Sequence, residues 1–72
     1  MVSIIGEDIM KFKVLKAKVR GNQYIVLCNL PENTITPWVT WIATTANGND
    51  VHCGHYFYEN EEHQAHADFD AR

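Results

Sequence analysis

Four consecutive residues, His52-Cys53-Gly54-His55, hold two of the four histidines and one of the two cysteines of the chain. His63 and His66 follow shortly after. These side chains can ligate a metal, attack as nucleophiles or carry protons, and no other stretch of the 72 residues gathers them so closely.

Zinc is the first chemistry to weigh, since it takes four Cys or His ligands at tetrahedral angles. Cys53 and His55, two apart on an extended strand, point to the same side, and His52 points to the other. His63 and His66 lie one turn apart on a helix. His66 can be turned toward a sheet, whereas His63 falls away from the apolar stripe. At most Cys53, His55 and His66 then line up, one short of a closed site. These three are the alternative metal set, and the expectation is no metal and no cofactor. A Cys53–His55 nucleophilic pair meets a distance problem, because side chains two apart on a strand sit about 7 Å from each other. Cys53, expected opposite Ile42, reads as a core residue. There is no glycine-rich phosphate loop and no nucleophile elbow, and Ser3 is the single serine. No catalytic residue is assigned, and the expectation is a protein that is not an enzyme.

The elements that must position these groups follow from the turns. Residues 1–11 form a lead-in with a helical turn around Glu7 to Lys11. Phe12 to Arg20 and Tyr24 to Leu30 are strands joined by Gly21-Asn22, where glycine supplies the positive φ of a two-residue turn. Trp38 to Thr45 and Val51 to Tyr58 form a second hairpin closed at Asn47-Gly48. In the first hairpin this register sets Val19 against Tyr24, Ala17 against Val26 and Leu15 against Cys28, leaving Lys16, Lys18 and Arg20 on the other face. In the second it sets Trp38 against Phe57, Thr40 against His55, Trp41 against Gly54 and Ile42 against Cys53. One face then carries Trp38, Ile42, Val51, Cys53 and Phe57, with Thr40 and His55 among them. The other carries Val39, Trp41, Ala43, His52, Gly54, Tyr56 and Tyr58. The first is expected to meet a C-terminal helix, residues 60–72, capped by Asn60 and docked through Ala65 and Phe69. The fold class is α+β: a four-stranded, mostly antiparallel sheet of two hairpins with one helix on one face, in a single domain.

Composition agrees with a small globular domain. The chain is 46% hydrophobic and 11% aromatic, with a net charge of −3, which argues against a disordered chain. Two cysteines on different hairpins do not make a disulfide framework. The N-terminus lacks the basic n-region of a signal peptide, and no apolar run approaches the ~20 residues that span a bilayer. A cytoplasmic protein with free thiols and no membrane association is expected.

Charge is uneven. Lys11, Lys13, Lys16, Lys18 and Arg20 are five of the six basic residues, and Glu59, Glu61, Glu62, Asp68 and Asp70 are five of the nine acidic ones. The bland reading is that the two segments are neighbours in space whose charges compensate. The sharper reading makes the strand Lys13 to Arg20, above all Lys16, Lys18 and Arg20, a surface for nucleic acid. The net acidity of the chain opposes it. The aromatic side of the second hairpin, Trp41, Tyr56 and Tyr58 with Val39, is instead expected to contact a protein, because Trp and Tyr dominate interface hot spots.

Three strings, Trp38-Val39-x-Trp41, Gly54-His55-Tyr56-Phe57 and Ala65-x-x-Asp68-Phe69-x-x-Arg72, together cover roughly the C-terminal half. Their pattern resembles one found in small uncharacterised bacterial and phage proteins. The resemblance implies a hairpin followed by a docking helix and transfers no catalytic residue. From the aromatic face, and by analogy of small size and acidity, the functional expectation is a non-enzymatic interaction module, acting on itself as a homodimer or on a host protein as a phage or mobile-element inhibitor. The alternatives are a small nucleic-acid-associated protein and a small zinc-binding module.

Overall fold

The architecture is that of a computed structural model, which describes residues 12–72. The lead-in expected over residues 1–11 lies outside the described residues. Four strands, β1 (Lys13–Arg20), β2 (Gln23–Asn29), β3 (Trp38–Ala43) and β4 (His52–Phe57), precede a single 3-10 turn (Glu59–Glu61) and a helix, α1 (Glu62–Ala71). The strands pair antiparallel in the order β1-β2-β3-β4, forming an open sheet. Helix α1 packs on β2, β3 and β4. The fold is α+β, two hairpins with one C-terminal helix on one face.

Register organises everything else. On the helix side, cross-strand rows run Lys13–Asn29–Trp38–Phe57, Lys16–Leu27–Thr40–His55 and Lys18–Ile25–Ile42–His52. On the opposite side they run Val14–Cys28–Val39–Tyr56, Ala17–Val26–Trp41 and Val19–Tyr24–Ala43. The first hairpin closes at Gly21, whose φ of 64° is the conformation its turn requires.

Two bulges depart from the expected register. At Leu15 an extra residue enters β1, so Val14, not Leu15, faces Cys28, and Leu15 is exposed. In β4, Cys53 and Gly54 together oppose Trp41, so Ile42 faces His52, not Cys53. Cys53 takes a φ of 55° there and lies exposed, not in the core. A bulge reverses the facing of every residue on one side of it, which moves His52 to the helix side. Val51 joins the opposite layer. The second connection is also wider than a two-residue turn. Residues 44–51 fold back through bonds from Thr44 N–H to Asn49 O (2.9 Å) and Gly48 N–H to Thr45 O (3.0 Å).

The sheet is buried on both faces in its middle. Ile25, Leu27, Ala65 and Phe69 form one cluster, with Trp38, Ile42 and Phe57 against it. Val26, Cys28, Val39, Trp41 and Ala43 form the other, with Phe12, Val14, Leu30 and Val51 packed on them. The continuous apolar run of β2, Ile25-Val26-Leu27-Cys28, is what a strand covered on both sides carries. A two-sided core suits a short chain, since each fully buried Val, Leu or Ile contributes about 1.5–3 kcal/mol.

Asn60 does not cap the helix. It lies inside the 3-10 turn, where Glu61 N–H donates to Tyr58 O (2.8 Å) and Tyr58 N–H donates to Glu61 Oε1 (2.9 Å). This reciprocal pair does the work expected of an asparagine cap.

Candidate functional site

Asp68 precedes Phe69 on α1, so the register that buries the ring also aims the carboxylate at β3 and β4. Thr40 Oγ1 donates to Asp68 Oδ2 at 2.5 Å, and His55 Nδ1 lies 3.0 Å from the same oxygen. Arg72 closes the group: Nη1 donates to Thr40 O and Thr40 Oγ1, each at 3.0 Å, and Nη2 donates to Cys53 O at 3.0 Å. Thr40 is fully buried, and both its donor and its acceptor capacity are met. Burial alone would raise the Asp68 pKa. The bonds from Thr40 and His55 and the charges of His55 and Arg72 outweigh it and hold the carboxyl below its ordinary value. An ionised carboxylate only accepts, so a hydrogen bond at this contact requires the His55 proton on Nδ1.

A histidine oriented by a carboxylate can relay a proton or back a metal ligand. The groups needed to complete either function are placed elsewhere. The bond at Cys53 is to its carbonyl, not its thiol. His66 Nε2 sits 3.5 Å from Glu62 Oε2. Among the described residues no three His, Cys, Asp or Glu side chains gather around a common point. The alternative metal set, Cys53, His55 and His66, is thus divided between a bulge, the Asp68 network and a separate pair on the helix. His55 and Thr40, cross-strand neighbours as expected, share Asp68 Oδ2.

The basic strand is partly occupied. The Lys16 and Lys18 amines stand 5.5 and 5.0 Å from the centre of the Phe69 ring, and Lys18 Nζ donates to Asp70 O at 3.1 Å. Their stems cover the helix-side core while the charges stay near water. Basic and acidic segments are therefore spatial neighbours. Arg20, at the hairpin end, is exposed.

The aromatic side of the second hairpin is divided by depth. Trp41 is 3% exposed and Val39 is 0% exposed. Neither belongs to a surface, because Phe12 packs on the indole at 5.1 Å between ring centres and Val39 lies in the middle of the opposite core. The surface expected on Trp41, Val39, Tyr56 and Tyr58 therefore lacks Trp41 and Val39, which are core residues. Tyr56 and Tyr58 do face out, 51% and 58% exposed, and Tyr56 stands edge-on to Trp41 at 6.1 Å. Gly54 makes this approach fit: a Cβ there would lie 2.5 Å from Trp41 Nε1.

A groove beside the loop 31–37 is lined by Asn33, Trp38 and Glu59. Its polar groups serve the fold. Asn33 Oδ1 accepts from Ile35 N–H and Thr36 N–H, and Trp38 Nε1 donates to Glu59 O. Among the described residues, no helix is long and apolar enough to cross a membrane.

Thr40, Asp68 and Arg72 were not singled out as site residues by sequence reasoning. The signal for two of them was present in Asp68-Phe69-x-x-Arg72, where an acid and a base four apart flank the docking phenylalanine and share its side of the helix. No family model, curated protein or solved structure matches the chain.

Proposed function

We propose that the chain is a non-enzymatic protein-interaction module whose contact surface is built on Tyr56 and Tyr58. The observation that carries this reading is their exposure at a sheet edge, with Tyr56 seated on a rigid support. Tyr56 rests on the buried Trp41, and Tyr58, just past the end of β4, is exposed as well. A large amphipathic ring held on a buried indole, with a second exposed ring two residues on, needs little ordering on contact, which is the property of interface anchors. The His55–Asp68–Thr40–Arg72 network serves this module by pinning α1 to β3 and β4 from the other face. Self-association is the simplest form of the contact, and a host protein is the other.

The test places a photo-activatable phenylalanine analogue at Tyr56 and, separately, at the exposed Ile35 of the loop 31–37. A defined crosslinked product, either a dimer of the chain or one partner, is expected from position 56 and not from position 35. Equal products from the two positions, or none from 56 in purified protein and in host extract, would overturn the reading.

A further inference from the structure

The opposite edge of the sheet carries a different set of groups. Among the described residues, β1 pairs with β2 alone, so its outer side is a sheet edge. Lys16, Lys18 and Arg20 recur at every second residue on the helix side of this strand. No carboxylate ion pair is made to any of them among the described residues. On the other side of the same strand, Ala17 is exposed and Val19 is 66% exposed. Among the described residues, the strand thus has no second neighbour and lies between a row of cations and a row of small apolar side chains.

We propose that the β1 edge accepts an extended, acidic segment of another protein as an added strand. Alternate side chains of a strand repeat at about 6.8 Å, so carboxylates at every second position of the incoming segment match Lys16, Lys18 and Arg20. The intervening residues, apolar and small, then cover Ala17 and Val19. Charge selects the occupant. A second copy of β1 would set lysine against lysine, which is unfavourable across a strand pair. The β4 edge, His52–Phe57, contains no acidic residue and offers no match either. A nucleic acid supplies anions but nothing apolar for Val19, and it would run against the acidic helix on the same face. The cations therefore repel the chain's own basic edge while admitting a partner of opposite pattern. This surface is separate from Tyr56 and Tyr58, and the two stand or fall independently.

The probe is a fluorescent octapeptide of alternating glutamate and valine, followed by anisotropy against the full chain at moderate salt. Three comparisons accompany it: the lysine–valine counterpart, the acidic peptide N-methylated at alternate amides, and a single-stranded oligonucleotide. The acidic peptide is expected to bind, and each comparison ligand to bind at least about tenfold more weakly. Arg20→Glu and Val19→Asp lie outside both cores, so the fold is retained. Each is expected to weaken the acidic peptide by about tenfold or more, and Tyr56→Ser to leave it unchanged. Equal binding of the methylated peptide would reduce the contact to plain charge attraction and overturn strand addition. Tighter binding of the oligonucleotide, failure of the acidic peptide to bind, or unaltered binding by both edge variants would overturn the proposal as well.

Discussion

Thr40 Oγ1 donates to Asp68 Oδ2 across the helix–sheet interface, 28 residues apart in the chain, from a side chain with no exposure to solvent. A buried hydroxyl left without its acceptor costs about 1–3 kcal/mol. Asp68 is therefore part of how α1 is oriented, beside the apolar contacts of Ala65 and Phe69.

The acid limb of stability follows from the same carboxylate. The folded pKa of Asp68 lies below its ordinary value. The sign is then fixed: the stabilisation is complete above the unfolded carboxylate value, about 3.9, and is lost as pH falls through the lower folded value. Asp68→Asn is expected to cost about 1–3 kcal/mol at neutral pH and progressively less below about pH 4. Urea unfolding of both proteins across pH 2 to 7 checks this, and a difference independent of pH would contradict it.

The Trp41–Gly54 contact makes a second prediction. Trp41→Ala empties a buried site in the core opposite the helix and is expected to cost about 3–5 kcal/mol. Gly54→Ala pushes a methyl into the indole from the other side, where a Cβ would lie 2.5 Å from Nε1, and is expected to cost about 1–3 kcal/mol. Thermal melts of the two variants check both values. A Trp41→Ala protein as stable as the parent would place the indole at the surface.

Much of this was legible in the chain and some was not. Gly21-Asn22 fixed the first hairpin and its pairs Val19/Tyr24 and Ala17/Val26, whereas Trp38/Phe57 and Thr40/His55 pair as expected only because the β4 bulge offsets a connection wider than the Asn47-Gly48 turn. Ala65 and Phe69 were readable as the docking stripe by helical spacing. The two bulges were not readable, because Leu15 and Cys53 carry no residue type that demands one. Cys53 adopts a conformation usually left to glycine, with Gly54 beside it. The burial of Trp41 was hidden for another reason. Alternation distinguishes two faces but does not say that both are covered, and the cover over Trp41 includes Phe12 from the start of the first hairpin. The Asp68 network joins residues 13 to 32 apart in sequence, so it depends on where α1 crosses the sheet.

The two cysteines should separate cleanly by reagent. Burial pushes the Cys28 thiol up to about 12, and it lies inside the core, whereas Cys53 is exposed on its bulge. Thiolate is the reactive form. Iodoacetamide at pH 8 is expected to label Cys53 in the native protein and Cys28 only after denaturation, as read by peptide mass. Equal native labelling of both would contradict the two-sided core.

The interaction reading is tested most directly by separating association from folding at Tyr56 and Tyr58. The double variant Tyr56→Ser, Tyr58→Ser removes both exposed rings and leaves Trp41 in place. Its unfolding free energy is expected within about 1.5 kcal/mol of the parent, the range of one lost aromatic pair. The measurement is sedimentation equilibrium of parent and variant, alone and with any partner identified by crosslinking at position 56. The expected result is an assembled mass for the parent and a folded monomer for the variant. An identical mass distribution in both proteins, with and without that partner, would contradict the assignment of the contact surface to these two tyrosines.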